Sequence, residues 1–161
     1  MDDTPLHPFV AQLAPLLGVW RGTGHGSYPT VAPFDYTEES TFWHVGRPLL
    51  GYLQKTRRVD GPPSHTESGY WRMSEEGGLD VILAHATGVT EIEVGEVTLT
   101  ANGVIVTMAS VSVVSAPAAK DVRALERRLE VDGDTLRYSL AMAAVGQPLT
   151  HHLAAELHRV A

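Results

Sequence analysis

Short runs of alternating apolar and polar residues, each closed by a turn signal, recur from residue 34 almost to the end of the chain. A period of two is what a half-buried strand requires, because successive side chains point to opposite faces of a sheet. The runs cover residues 34–44, 49–58, 68–73, 79–86, 89–94, 95–101, 104–114, 122–131, 136–144 and 146–160. Asp60-Gly61-Pro62-Pro63, Glu75-Glu76-Gly77-Gly78 and Asp132-Gly133-Asp134 punctuate them, and Asn102-Gly103 is the strongest hairpin signal. Residues 122–131 contain good helix formers, yet they run straight into a tight turn and a further strand, so a hairpin is predicted there. Upstream, small residues alternate around Trp20 in Gly18-Val19-Trp20-Arg21-Gly22-Thr23-Gly24. On a strand they leave one face bare, so that another backbone or a bulky group can approach closely. Residues 9–17 have helical apolar spacing interrupted by Pro15, which suggests one or two turns able to plug the end of something hollow.

Evenly spaced short strands suggest a sandwich or a barrel. The connections are short, so consecutive strands can pair as neighbours, and closure removes exposed edges. The expected fold is therefore all-β: an antiparallel up-and-down barrel of about ten strands, lipocalin- or fatty-acid-binding-like, with a short N-terminal helical plug. Such a barrel is too wide for its own side chains to fill and keeps a small-molecule cavity. Residues 1–8 are expected to form a flexible terminus and residues 9–161 a single domain.

A formal charge of -7 argues against nucleic-acid binding. The absence of cysteine excludes disulfides and thiolate chemistry, and it suits a cytoplasmic protein. No signal peptide and no apolar run of membrane-spanning length are visible, so no membrane partner is expected. The phosphate loop, the dinucleotide fingerprint, the zincin motif and the nucleophile elbow are all missing. Glu38-Glu39 and Glu75-Glu76 read as solvated faces, Tyr36 and Glu39 as barrel-stabilising, and His44 and His85 as satisfied strand residues. His151, His152 and His158 do not make a compact zinc set, and the other histidines are scattered. On an extended strand, adjacent His151 and His152 point to opposite faces, so one imidazole can look inward while the other meets water.

Six stretches in order carry a family likeness. They are Gly18-x-Trp20-x-Gly22-x-Gly24; Tyr28-Pro29-Thr30; Pro33-Phe34-x-Tyr36-x-Glu38-Glu39; His44-Val45-Gly46-x-Pro48; His65-x-Glu67-Ser68-Gly69-Tyr70; and Pro148-Leu149-x-x-His152-Leu153-x-Ala155-x-Leu157. Together they span nearly the whole chain. The sequence resembles nitrobindin, the heme-binding β-barrel family also described as peroxynitrite isomerase, and most of all its actinobacterial members.

The resemblance implies one heme b per subunit in the barrel's pocket, with His152 as the axial ligand to iron. It implies that His65 and Met142 lie around the heme. Thr30 and Lys120 are expected near the heme edge, where a hydroxyl and an ammonium can bind carboxylate groups. The function implied is isomerisation of peroxynitrite to nitrate at ferric heme, with no catalytic side chain beyond the iron, and nitric oxide binding at the same site. The alternatives are a nitric oxide sensor or scavenger using that heme, or a hemeless carrier of a small hydrophobic ligand. Trp43 and Trp71 would narrow the pocket if either ring turned inward. The apolar stretch 111–119 would suit a homodimer and makes Lys120 the least secure placement.

Overall fold

The structure is a computed structural model that describes residues 3–161. A 3-10 helix, Pro8–Leu16, is followed by ten strands. They are β1 Gly18–Tyr28, β2 Val31–His44, β3 Leu49–Arg58, β4 Pro63–Met73, β5 Leu79–His85, β6 Val89–Leu99, β7 Gly103–Ser115, β8 Val122–Asp132, β9 Thr135–Ala144 and β10 Thr150–Arg159. Each strand pairs antiparallel with its neighbours in sequence, and β1 pairs with β10 to close the barrel. Among the described residues, no helix is long and apolar enough to cross a membrane.

Several boundaries differ from the sequence reading: β2 starts at Val31 rather than Phe34, β10 starts at Thr150 rather than Gly146, and two further differences have a structural reason. Residues 89–94 and 95–101 form one strand, β6, because Gly95 continues the ladder, pairing with Leu79 on one side and Met108 on the other. Its missing side chain admits the backbone of β7, since an added Cβ would lie 2.3 Å from the Thr107 carbonyl oxygen. Strand β4 starts at Pro63 rather than Ser68, with proline at the first strand position, where the ladder tolerates it. The extension puts His65 and Glu67 on a strand.

The N-terminal helix closes one end. Val10, Leu13 and Leu16 are fully buried against a core that includes Trp20, Leu50, Val81, Val104, Val106 and Leu157. The carbonyls at the helix end have no helical partner, and side chains supply donors instead. Trp20 Nε1 donates to the Leu16 carbonyl at 2.7 Å. Arg159 stacks on the Trp20 ring, 4.1 Å from its centroid, and donates to the carbonyls of Pro15 and Leu17. Thus the tryptophan of the glycine-rich stretch fastens the plug to the barrel.

The glycines on that strand make room for aromatic rings. Gly24 pairs with Tyr36 and Gly26 with Phe34. A Cβ at either position would lie 2.2 Å from the partner's ring. Both rings therefore fold over β1, lining the barrel interior without filling it. Trp43 lies outside, over Gly51, whereas Trp71 turns inward, buried and edge-on to Phe42 with ring centroids 5.3 Å apart. Gly24→Ala is expected to lower the unfolding free energy by about 1–3 kcal/mol through overpacking, read from the urea midpoint at unchanged slope.

Candidate functional site

A cavity of about 580 Å³ opens at the end opposite the plug. Its mouth carries Thr30, Lys120 and Val145, and its wall includes Tyr28, Phe34 and Met142. Deeper lie Tyr36, Tyr138, Trp71 and a buried polar belt. The volume falls within the ~300–1,000 Å³ of small-molecule and cofactor sites.

His152 enters this cavity through an irregularity in the ladder. On β10, His151 pairs with Ala141 and Leu153 pairs with the adjacent Leu140, so His152 is the extra residue of a β-bulge. Strand β1 is irregular at the same level, between Gly26 and Tyr28. There the Ser27 carbonyl accepts a hydrogen bond from His152 Nδ1 at 3.0 Å. A carbonyl can only accept, so Nδ1 carries the proton and Nε2 keeps its lone pair. Tyr28 and Phe34 stand edge-on to the imidazole, with centroids 5.2 and 6.4 Å away. Partial burial holds the His152 pKa below the ordinary 6.5, and the fields of His151 and His65 add to this despite the opposing Ser27 hydrogen bond. A half-buried, neutral, oriented imidazole with a free nitrogen is a metal-ligand arrangement. His151 is exposed, as expected for the opposite face.

The floor of the cavity is ionic. Glu67, Glu91, Glu93 and Arg127 are all buried. Arg127 Nη1 lies 2.9 Å from Glu91 and 3.0 Å from Glu93, and its Nη2 lies 3.5 Å from Glu67. His85 reaches Glu67 at 3.1 Å and Glu91 at 3.4 Å. Desolvation would raise the Glu67 pKa, but Arg127, His65 and His85 outweigh it and hold the carboxyl well below its usual range. Desolvation would lower that of His85, yet Glu67 and Glu91 push it up to about 9. Glu93, buried and close to Glu91, is raised to about 8 against the pull of Arg127. Beside this group, Glu38 accepts from Ser40, Gln54 and Tyr138.

All five residues singled out from the resemblance, His152, Thr30, Lys120, His65 and Met142, line this one cavity. The Glu38-Glu39 pair splits, contrary to the solvated-face reading. Glu38 is 4% exposed inside the barrel, while Glu39 pairs outside with Arg21. His85, a strand residue as expected, is held between Glu67 and Glu91 within the ion network. Glu91 and Glu93 share the inner face of β6 with Val89 while the apolar Ile92 and Val94 face out, so alternation gave no signal for the two acids. Only cross-strand register brings them to Arg127.

The profile of the THAP4-like, heme-binding β-barrel domain matches residues 9–159. The chain belongs to this family. It is 55% identical over 157 residues to peroxynitrite isomerase 1 of Mycolicibacterium paratuberculosis, covering 97% of this chain and 98% of that one. It is 53% identical over 155 residues to peroxynitrite isomerase of Nocardia farcinica, covering 96% and 92%. The crystal structure of Rv2717c from M. tuberculosis superposes with a TM-score of 0.94 at 49% identity, covering 98% of this chain and all of that one. A heme-binding barrel needs a free axial nitrogen and room beside it, and His152 Nε2 at the cavity wall fits that requirement.

The floor network gives this heme-binding barrel a pH signature. His85 contributes stability that is complete below 6.5, its ordinary value, and is lost as pH rises through about 9. Glu93 contributes stability that is complete below 4.5 and is lost as pH rises through about 8. Glu67 gains its contribution above its ordinary 4.5, outside that window. Urea unfolding with chelator present is therefore expected to show a falling unfolding free energy between pH 6.5 and 9, and a flatter profile in His85→Ala.

Proposed function

We propose that the cavity holds one heme b through His152 Nε2 and that the protein isomerises peroxynitrite to nitrate there, with nitric oxide binding at the same iron. The observation that carries this is the hydrogen bond from His152 Nδ1 to the Ser27 carbonyl, which leaves the other ring nitrogen as an oriented donor toward the cavity. When bound, a ferric heme with one protein ligand supplies an open coordination position and a Lewis acid for rearranging the peroxo bond. The chain's own residues do the rest. The Ser27 carbonyl fixes the imidazole's tautomer and aim. Tyr28 and Phe34 hold the ring at its edges and shield that side from water. The Tyr28 hydroxyl accepts from the Ala144 amide at 3.0 Å and donates to the Met142 carbonyl at 2.9 Å, tying β1 to β9 beside the ligand. Thr30 and Lys120, exposed residues that line the cavity, would take the heme carboxylates where solvent meets it. Two actinobacterial relatives named peroxynitrite isomerase support the activity. The cysteine-free composition supports a cytoplasmic setting.

Titration with hemin is expected to give a 1:1 complex with a shifted Soret band in the wild type and a spectrum like free hemin in His152→Ala. In stopped flow, substoichiometric wild-type complex accelerates peroxynitrite decay to nitrate, and the variant does not. Because His152 stays neutral down to below 6.5, hemin affinity should hold from neutral pH to that point and fall on further acidification. Equal spectra and equal decay for both proteins would sink the assignment.

A further inference from the structure

The floor of the cavity holds a second constellation that heme ligation through His152 does not use. His65 Nε2 lies 3.0 Å from His85 Nδ1, His85 Nδ1 lies 3.1 Å from Glu67 Oε2, and His65 Nε2 lies 3.2 Å from the same oxygen. Three ligand atoms thus form a nearly equilateral triangle. Hydrogen bonds serve such a triangle poorly. If both imidazoles donate to Glu67, two N–H groups face each other. If one imidazole donates to the other, a lone pair faces the carboxylate. A cation between the three atoms makes every edge favourable. In a tetrahedral site with bonds of 2.0–2.1 Å, ligand atoms stand about 3.3 Å apart, close to the observed sides.

The sheet builds the arrangement. His65 and Glu67 are two residues apart on β4 and share its inner face, and the cross-strand partner of Glu67 on β5 is His85. The remaining atoms of these side chains are held as the outer shell of a metal site holds its ligands. The Tyr52 hydroxyl donates to Glu67 Oε1 at 3.0 Å, which leaves Oε2 for the centre. His85 Nε2 faces Glu91 Oε2 at 3.4 Å, the carboxylate that would orient a ligating imidazole. Neither Glu91 oxygen has a well-aligned hydrogen-bond donor, although Glu91 is 2% exposed. Glu67, Glu91 and Glu93 set three buried carboxyl groups around Arg127 and His85. Arg127 is a neighbouring cation: Glu91 and Glu93 hold its Nη1 at 2.9 and 3.0 Å, and its Nη2 stands 3.5 Å from Glu67 Oε2, beyond hydrogen-bond contact with that oxygen.

We propose that His65, Glu67 and His85 bind a divalent transition metal of the zinc class, with a fourth coordination position open to the cavity that all three line. The proposal is independent of the heme reading, because it does not involve His152 and its readout is bound metal rather than a heme spectrum or turnover. The test is equilibrium dialysis of the 161-residue chain against Zn²⁺, with and without hemin, followed by metal analysis. One zinc per chain is expected, with affinity lost at least tenfold in Glu67→Gln and His85→Ala and kept in His152→Ala. Glu91→Gln should weaken binding by about ten- to a hundredfold. Zinc bound in neither state, or binding that the Glu67 and His85 substitutions leave intact, overturns the site. Where a variant misfolds by circular dichroism, anomalous diffraction at the zinc edge from zinc-soaked wild-type crystals decides. A peak among the three atoms upholds the proposal, and no peak there overturns it.

Discussion

Closing ten strands into one sheet leaves a space that inward side chains cannot fill. That geometric surplus sets the terms for everything inside. Each stretch of the lumen answers it differently. At one end a 3-10 helix is inserted, and Val10, Leu13 and Leu16 supply the apolar volume that the strands lack. At mid-height long polar side chains reach across, bonded to one another. At the other end the space stays open, walled by aromatic rings that lie over glycines. The cavity is therefore the part of the surplus that neither plug nor network occupies.

His152 shows how little is needed to turn such a space into a ligand site. Regular pairing along β10 would give every residue a partner on β9, and the register slips at this one position. The slip points the ring at the lumen beside the Ser27 carbonyl, where β1 is irregular too. A conventional ladder would have spent the Ser27 carbonyl on a backbone amide. Here it is free to fix a tautomer. Two adjacent irregularities thus accomplish what an extra loop does in other folds, while keeping the ligand on a rigid element.

The architecture was legible in the sequence because a period of two and a two-residue turn are local signals. Asn102-Gly103 and Gly133 marked their hairpins without help from distant residues. Strand alternation put one of His151 and His152 inward without choosing between them, and the family resemblance singled out His152. The break within 89–101 was misread because Gly95 looks like punctuation, and only pairing on both sides shows it to be a place where β7 comes close. The floor network was illegible for a deeper reason. Glu91 and Glu93 alternate with Ile92 and Val94, which are exposed, so this strand carries its acids inward and its apolar residues outward. Ordinary amphipathic reading inverts it. His65, Glu67 and His85 meet through a hydrogen-bonded pair of strands, and nothing in their spacing announces that contact.

A barrel that keeps buried carboxylates in place of leucines does not gain stability by it. Burying ion pairs costs about as much desolvation as their attraction returns, and well-packed apolar residues of similar size are often as good or better. Apolar side chains at Glu38, Glu67, Glu91, Glu93 and Arg127 would however collapse toward one another and toward the plug, or slide into the open lumen, since nothing directional holds them. Charged groups tied by hydrogen bonds stand at set lengths. Tyr52 and His85 each grip Glu67, and Tyr138 bridges Glu38 to Tyr36, so each long side chain is held from two directions. The network works as a floor of fixed height, which an apolar core would not be. A cofactor pocket that must stay open before its ligand arrives needs such a floor, and the aromatic wall above it rests on the same residues. The polar belt and the open cavity are thus two consequences of one barrel width, with the first preserving the second.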